Sequence, residues 1–239
     1  MPNQLISSHK MSMEREDRLR SEKLAEVHER LMKAFGEPQW HELMPAVDEL
    51  VCTILSQNTN DINRDKAYQA LKKRYPSWDD VRDADPEELQ YIIRIAGLAQ
   101  QKGPNIQSAL EAITAEQGKI SLEWLKTLDV EEARNWLTQL KGVGPKTAAI
   151  VMVFSLGMPA FPVDTHVYRV TGRIGLRPAK MNVEKTHTYL EMIGDPAVFG
   201  PLHLNLITLG REYCLARKPK CTGCPVVDIC DYPDKNFEL

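Results

Sequence analysis

The sequence has no apolar run that approaches the roughly 18 residues needed to span a bilayer. Its longest candidate, AAIVMVFSLGMPAF, is typical of a buried helix. The first residues, MPNQLISSHKMSMERED, contain no apolar segment of the kind that a secretory signal requires. We therefore expect a soluble, cytoplasmic protein of the prokaryotic intracellular type, with no membrane partner.

The sequence also lacks a strong excess of either charge, because its formal net charge is −3. A strongly basic average would point to nucleic acid, but the placement of charge decides more than its sum. Residues 211–220 carry four bases against one acid, whereas residues 78–88 carry six acids against one base. The basic run is consistent with a nucleic-acid-facing surface and equally with an ordinary solvated one.

Strand signals are scarce as well. Neither Asn-Gly nor Asp-Gly occurs, and alternation of apolar with polar residues is rare. Apolar residues instead recur at helical spacing, first at Leu24, Val27, Leu31 and Phe35, with Gly36 ending that helix. The pattern predicts an all-α protein, with further helices near residues 46–56, 62–73, 86–95, 104–116, 130–139, 146–156, 166–174, 183–193 and 200–213.

Cysteine is also scarce, yet four of the five cysteines crowd one short segment. They are spaced C-x6-C-x2-C-x5-C, at Cys214, Cys221, Cys224 and Cys230. In an intracellular protein this density favours ligation of an inorganic centre over disulfides. Four thiolates suit tetrahedral zinc or an iron–sulfur cluster, and spacing does not choose between them. Cys52 lies in the apolar segment LVCTILS and is interpreted as a buried structural thiol.

Ligation of Cys214 and Cys221 would fix the segment LARKPK between them. Its neighbourhood presents the bases Arg217, Lys218 and Lys220. A loop that is fixed in advance could meet phosphates at little cost in ordering. These three residues are therefore candidate phosphate contacts.

A second candidate site lies in VEEARNWLTQLKGVGPKTAAIVMVFSL, where two helical segments flank Gly142, Val143 and Gly144. Pro145 stands where the second helix would begin. The glycines would permit a tight turn, and the free N–H groups at the helix start would bind a phosphate. The alternative is an ordinary Gly-rich turn.

Lys146 falls in the first turn of that second helix, where a cation opposes the helix dipole. Partial burial there would further favour the neutral amine, which can attack a sugar carbon and form a Schiff base. Asp164, in FPVDTHVYRV, is placed to cap the next helix, and its carboxylate could also stabilise developing positive charge. A solvent-facing lysine and a simple cap are the alternatives. His166 is interpreted as a packed structural residue.

Three motifs, LKGVGPKTA, VDTH and the cysteine tail, closely resemble the endonuclease III family of helix-hairpin-helix DNA glycosylases, over roughly residues 20–232. The resemblance implies two helical lobes: a six-helix barrel with the hairpin at 48–158, and a lobe of 15–47 with 159–239 that holds a [4Fe–4S] cluster. Residues 1–14 are expected to form a flexible tail. Double-stranded DNA with damaged bases or abasic sites would be the partner of a monomeric, nucleoid-associated enzyme, with the damaged nucleotide flipped out.

The resemblance further implies that Lys146 is the nucleophile and Asp164 the essential carboxylate. The enzyme would then excise oxidised pyrimidines and nick the strand by β-elimination, as an abasic-site lyase. Leu98 and the LSQNTND segment map onto positions that enter the duplex. That segment departs from the family pattern, with Asn58 at the position of a base-replacing glutamine and Gln57 beside it. A uracil or mismatched-thymine glycosylase and a non-catalytic helix-hairpin-helix DNA-binding module are the alternatives.

Overall fold

The computed structural model describes residues 2–38 and 44–238, with side chains from residue 13 onward. Within these ranges the chain is helical and has no strand. The helices are α1 (Pro2–Phe35), α2 (Ala46–Ser56), α3 (Asp61–Arg74), α4 (Trp78–Arg82), α5 (Pro86–Ile93), α6 (Ala99–Gln117), α7 (Val130–Gln139), α8 (Pro145–Phe154), α9 (Thr165–Ile174), α10 (Val183–Ile193) and α11 (Phe199–Glu212). The predicted all-α class is confirmed.

Most helices begin at a polar residue whose side chain accepts a hydrogen bond from the backbone of the first turn. Asn60, Ser77, Asp85, Asp129 and Asn182 all do this. A capped start satisfies one of the N–H groups that a helix leaves without an internal partner. Such residues are readable in a sequence, which is why the predicted starts lie close to those observed.

The start of α6 and the acidic stretch after Ser77 differ from expectation. Helix α6 begins at Ala99 rather than near residue 104. The acidic stretch after Ser77 forms the short helix α4, which hydrophobic periodicity does not reveal in only five residues. The flexible tail expected at residues 1–14 stays a prediction, and the structure has α1 begin at Pro2. Proline suits the first turn of a helix, and no glycine or second proline follows before Gly36 to interrupt it.

Residues 41–158 form one compact unit. In its described part, α2 is buried along almost its whole length and packs against α3, α6 and α8. Leu50, Ile54 and Leu55 of this helix are fully buried. The unit holds six helices of eight residues or more, together with the short α4. An apolar helix that is surrounded by others provides the rigid centre on which the turns between helices rest.

Residues 1–40 and 159–239 form the second unit. Its helix α11 packs against α9 and α1, and α1 also packs against α10. The α1 face predicted from the sequence is confirmed, because Leu24, Val27 and Leu31 are buried. After α11 the chain runs to residue 238 without a further helix. In the part of the chain that the structure describes, no helix is long and apolar enough to cross a membrane.

Candidate functional site

The turn between α7 and α8 is built around one glycine in a left-handed conformation. Gly142 has a φ of +80°, and a Cβ atom at this position would collide with the Asn105 side-chain amide. Gly144 has a φ of −96° and open space around it, and it precedes Pro145, the first residue of α8. Only the first glycine is therefore required by geometry.

The outer face of this turn presents N–H groups without internal partners. The first bond of α8 is donated by the N–H of Ala148 to the Gly144 carbonyl (3.0 Å), so the earlier N–H groups of the first turn lie outside the helical ladder. Val143 does not contribute to this face. Its side chain is buried and its N–H donates to the Leu140 carbonyl (3.0 Å). Its buried side chain and this bond stabilise the turn, and the contact with DNA predicted for Val143 stays a prediction.

Lys146 is the second residue of α8, and its side chain is exposed. The prediction that Lys146 is partly buried is wrong, because Thr147, Ala148 and Ala149 form the buried face at this end of α8. The amine has no hydrogen-bond or ion-pair partner among the described residues. Lys146 is therefore open to a group that arrives from solution.

Asp164 caps α9, as the sequence predicted. Its Oδ1 atom accepts a hydrogen bond from the N–H of Val167 (2.7 Å), and the side chain is half-buried. Among the described residues the second carboxylate oxygen accepts no hydrogen bond. One oxygen thus holds the carboxylate in place and the other is available for chemistry.

The chain before Asp164 is fixed by side chains from α10 and α11, of which His187 and His203 are buried and Glu191 is half-buried. Glu191 accepts a hydrogen bond from the N–H of Phe161 (2.7 Å). His187 Nδ1 lies 2.9 Å from the Phe161 carbonyl and His203 Nδ1 lies 2.9 Å from the Pro162 carbonyl. These contacts were not predicted, because they join residues 26 to 41 positions apart. His166 is half-buried, with its Nδ1 atom 3.1 Å from Arg169, as expected of a packed residue.

The LSQNTND segment forms the turn between α2 and α3. Gln57 donates its side-chain amide to the Gly142 carbonyl (2.9 Å), and Asn58 has a φ of +52°. Leu98, which precedes α6, has a φ of +50° and is 48% exposed. An exposed leucine in a left-handed conformation is unfavourable both for its backbone and for its solvation. Such a residue is more typical of a binding surface than of a stabilising turn.

The four clustered cysteines are free thiols that line a single cavity. Among the described residues, no three potential ligands stand close enough together to hold one metal ion. An iron–sulfur cluster takes its thiolates at different iron atoms, so it needs ligands spread around a volume. The donor set and the cavity therefore fit such a cluster. Burial raises the pKa of Cys224 to about 11 and also raises that of Cys230, so ligation must displace their protons.

The basic loop after Cys214 presents Arg217, Lys218 and Lys220 to solvent. Its backbone is held by Arg173 of α9, which donates to the Leu215 carbonyl (2.6 Å) and the Ala216 carbonyl (3.0 Å). A side chain of α9 therefore fixes the backbone of this loop.

Arg173 and Arg169, which donates to the Cys214 carbonyl (2.9 Å), were missed in the sequence. The two arginines are four residues apart and therefore lie on one face of α9. This spacing is the feature of the sequence that could have identified them as a pair.

Two family models match the chain. The HhH-GPD superfamily of base excision DNA repair proteins matches residues 51–195. The iron–sulfur binding domain of endonuclease III matches residues 214–230, which include all four clustered cysteines.

Several known proteins are similar along most of the chain. Endonuclease III of Bacillus subtilis is 33% identical over 76% of this chain and 78% of its own length. Endonuclease III of Thermotoga maritima is 29% identical over 87% and 92%. A protein of Arabidopsis thaliana described as a DNA glycosylase is 37% identical, over 77% of this chain and 66% of its own.

Solved structures agree with these relatives. A non-covalent endonuclease III–DNA complex aligns with a TM-score of 0.73 at 29% identity, and covers 88% of this chain and 94% of its own. A trapped covalent intermediate of endonuclease III with DNA aligns equally well, with a TM-score of 0.73 at 29% identity over 88% and 95%. A thermostable thymine-DNA glycosylase, 22% identical, shares the fold with a TM-score of 0.73.

The two glycines of the turn give a matched test of its geometry. Gly142→Ala should lower the free energy of unfolding by about 1–3 kcal/mol, because alanine is strained at positive φ and its Cβ meets Asn105. Gly144→Ala should change it by less than about 0.5 kcal/mol. Thermal and urea unfolding followed by circular dichroism measures both. Equal destabilisation by the two substitutions would contradict this account of the turn.

Proposed function

Since the chain belongs to the HhH-GPD superfamily of base excision DNA repair proteins and matches endonuclease III over most of its length, we propose that it is a bifunctional DNA glycosylase and abasic-site lyase that removes oxidised pyrimidines. The observation that carries the lyase assignment is Lys146, an exposed and unpartnered amine in the first turn after the hairpin. A protein that only bound DNA would not need a nucleophile at this point. The relative trapped covalently on DNA supports a covalent route.

In the proposed reaction, the Lys146 amine in its neutral form attacks C1′ of the damaged nucleotide. The N–C1′ bond to the lysine forms as the glycosidic bond breaks, and the base leaves after taking up a proton. The sugar ring opens to give a protonated Schiff base. Loss of a proton from C2′ then expels the 3′ phosphate by β-elimination, and water later releases the lysine.

Asp164 would stabilise the positive charge that develops on the sugar as the base departs. Its free carboxylate oxygen is suited to this, because the other oxygen is already committed to the Val167 N–H. The cap therefore fixes the direction of the charge before substrate arrives. The same carboxylate can assist the proton transfers of the elimination.

Duplex DNA would be held through its phosphates by two surfaces. The N-terminal turn of α8, with Gly142 and Gly144 exposed beside it, offers backbone N–H groups to one phosphate. Arg217, Lys218 and Lys220 offer cationic contacts on a loop whose backbone Arg173 already holds.

Exposed Leu98 and the turn of Gln57 and Asn58 would enter the duplex where the nucleotide has left it.

The cysteines Cys214, Cys221, Cys224 and Cys230 would hold a [4Fe–4S] cluster. When bound, the cluster supplies charge and cross-linking to a segment that has no helix of its own. In our proposal this chain's residues carry out every bond-making step, and ligation serves to order the basic loop. We also propose that the enzyme is monomeric and cytoplasmic. Free thiols in place of disulfides are in keeping with a reducing compartment.

The proposed substrate class, oxidised pyrimidines, has one competitor within the family, uracil or mispaired thymine. A panel of duplexes containing thymine glycol, dihydrouracil, uracil, mispaired thymine or an abasic site separates them. We expect the oxidised pyrimidines and the abasic site to be processed fastest. Preferential release of uracil or mispaired thymine would replace the substrate assignment and leave the lysine mechanism in place.

Reduction with borohydride should trap a covalent adduct between the protein and a duplex that contains an abasic site. Lys146→Ala should abolish trapping, because no Schiff base can form, while affinity for an uncleavable abasic analogue is retained. Gel mobility of the adduct measures trapping and fluorescence anisotropy measures affinity. Lys119→Ala, at an exposed lysine of the same unit, is the matched control and should trap normally. Trapping that survives Lys146→Ala would overturn the assignment.

Asp164→Asn should separate the two roles of this residue. Asparagine also caps helices well, so thermal stability should stay close to that of the natural protein. Base excision should fall on the order of a hundredfold or more, because the carboxylate charge is lost.

The matched control is Asn182→Ala, which removes the cap of α10 and should cost about 1 kcal/mol without slowing excision. Single-turnover excision and thermal unfolding distinguish the outcomes. If the Asp164→Asn protein keeps full excision activity, Asp164 serves only as the cap of α9 and its catalytic role is refuted.

The purified protein should be yellow-brown, with about four iron atoms per chain and absorbance near 400 nm, as expected of a thiolate-ligated [4Fe–4S] cluster. Cys221→Ser should lower the iron content, whereas Cys52→Ser, in the other unit, should not. Iron and sulfide analysis measures the result. A colourless protein with stoichiometric zinc would contradict the proposed cofactor.

A further inference from the structure

The most deeply buried charged side chain of the described residues is Lys102, which is 1% exposed. Its Nζ atom donates hydrogen bonds to the Leu55 carbonyl (2.7 Å) and to the Ala96 carbonyl (2.8 Å). No described carboxylate pairs with it, and burial alone lowers the pKa of its amine. A buried lysine is costly to desolvate, so its retention calls for a specific role.

Both carbonyls lie at the ends of helical segments. Leu55 is in the last turn of α2, and Ala96 ends the 3-10 turn Arg94–Ala96. Carbonyls at such ends lack partners within their own helix and carry the negative end of the helix dipole. A donor from α6 that reaches both therefore ties two separate ends together. The main-chain N–H of Lys102 adds a third bond, to the Leu98 carbonyl (2.9 Å).

Each of the two carbonyls stands directly before a turn with unfavourable backbone geometry. After Leu55 the chain reaches Asn58, with a φ of +52°, and after Ala96 it reaches Leu98, with a φ of +50°. A residue other than glycine keeps such a conformation only where its surroundings impose it. Lys102 supplies contacts of that kind to both turns at once.

We propose that Lys102 is a positioning residue that holds the Leu98 turn and the Gln57–Asn58 turn in one fixed geometry, so that both enter the duplex together. This proposal rests on the proposed function, since those turns are the segments assigned to the duplex. Lys102 itself is buried and would touch neither DNA nor the reacting atoms.

The same stretch of α6 supports the hairpin. Asn105, less than one turn after Lys102, occupies the space beside Gly142, and the side chain of Gln57 donates to the Gly142 carbonyl (2.9 Å). Release of the Lys102 contacts would therefore disturb Gln57 and, through it, the hairpin carbonyl. The first turns of α6 act as a common support for three turns of the unit.

The test uses Lys102→Met, which keeps the length of the side chain and its apolar stem but removes the donors. The probe is a duplex that carries a tetrahydrofuran abasic analogue with 2-aminopurine opposite it. Binding of the natural protein should raise 2-aminopurine fluorescence, because the opposite base is unstacked by the entering side chains. Lys102→Met should lose most of this rise, and single-turnover excision should slow on the order of tenfold to a hundredfold, as displaced contacts do elsewhere. Lys119→Met, at an exposed lysine of the same unit, should match the natural protein in both.

A substitution cycle separates positioning from a general loss of stability. Because Lys102 is proposed to act through both turns, Lys102→Met should add little to the fluorescence loss caused by Leu98→Ala combined with Asn58→Ala. Additive losses, or an unchanged fluorescence rise in a folded Lys102→Met protein, would overturn the proposal. Should Lys102→Met fail to melt cooperatively, Lys102→Arg carries the test. It keeps a cationic donor and should restore at least part of the fluorescence rise, and a folded Lys102→Arg protein with no rise would equally refute the role.

The fluorescence signal requires no bond cleavage, so this test stands apart from the proposed chemistry. Borohydride trapping by the natural protein, run alongside, reports on the lyase mechanism alone. Absent trapping with a normal Lys102 effect would refute the lyase and keep the positioning role. Normal trapping with no effect of Lys102→Met would support the lyase and refute the positioning role.

Discussion

The termini of its helices decide most of what this protein can do. Each helix leaves N–H groups without partners at its start and carbonyls without partners at its end, and burial of such groups is costly. An all-helical chain has many of these points and no sheet in its described part to absorb them. Lys146, Asp164 and Leu98 lie at these points. Unsatisfied backbone groups are places where a side chain, a phosphate or a nucleophile can be held in a defined direction.

The chain satisfies some helix termini internally and leaves others open. Asn60, Ser77 and Asp129 close their helix starts with their own side chains. Asp164 closes a start with one carboxylate oxygen and keeps the other available. The start of α8 differs from all of these, because Gly144 and Pro145 offer no capping side chain. The N-terminal turn of α8 therefore keeps N–H groups without a side-chain partner, which we propose bind a phosphate, and Lys146 is exposed beside them.

The sequence predicted those features that depend on local chemistry. Capping residues and the Gly-Val-Gly turn identified helix boundaries, and the cap role of Asp164 followed from its position before an apolar-periodic run. The short helix α4 was missed, since it has no strong apolar period. The exposure of Lys146 was also missed, because burial at a helix start depends on which neighbours pack there, and a single sequence does not contain that arrangement.

Side chains that bind the carbonyls of distant residues were harder to predict than the exposed residues whose turns they hold. Lys102 falls on the apolar i, i+4 row that continues through Ile106 and Leu110, so a charged residue on a buried face was visible as an anomaly. The sequence could not say which carbonyls it would meet, because Leu55 lies 47 positions away. Arg173 likewise reaches carbonyls more than 40 positions along the chain.

These contacts separate the residues proposed to act on DNA from the residues that hold the backbone in place. The groups proposed to act on DNA are exposed and local: Lys146, Leu98 and the bases of the basic loop. The groups that hold them are buried or half-buried, and each fixes backbone rather than side chain. Some lie far along the chain from the carbonyl they meet, as Lys102 does from Leu55 and Arg173 from Leu215. Backbone contacts constrain direction without restricting the identity of the exposed residue. The exposed positions of LSQNTND can therefore differ from the family pattern while the turn that carries them keeps its geometry. Gln57, which donates its amide to the Gly142 carbonyl, also ties this turn to the hairpin.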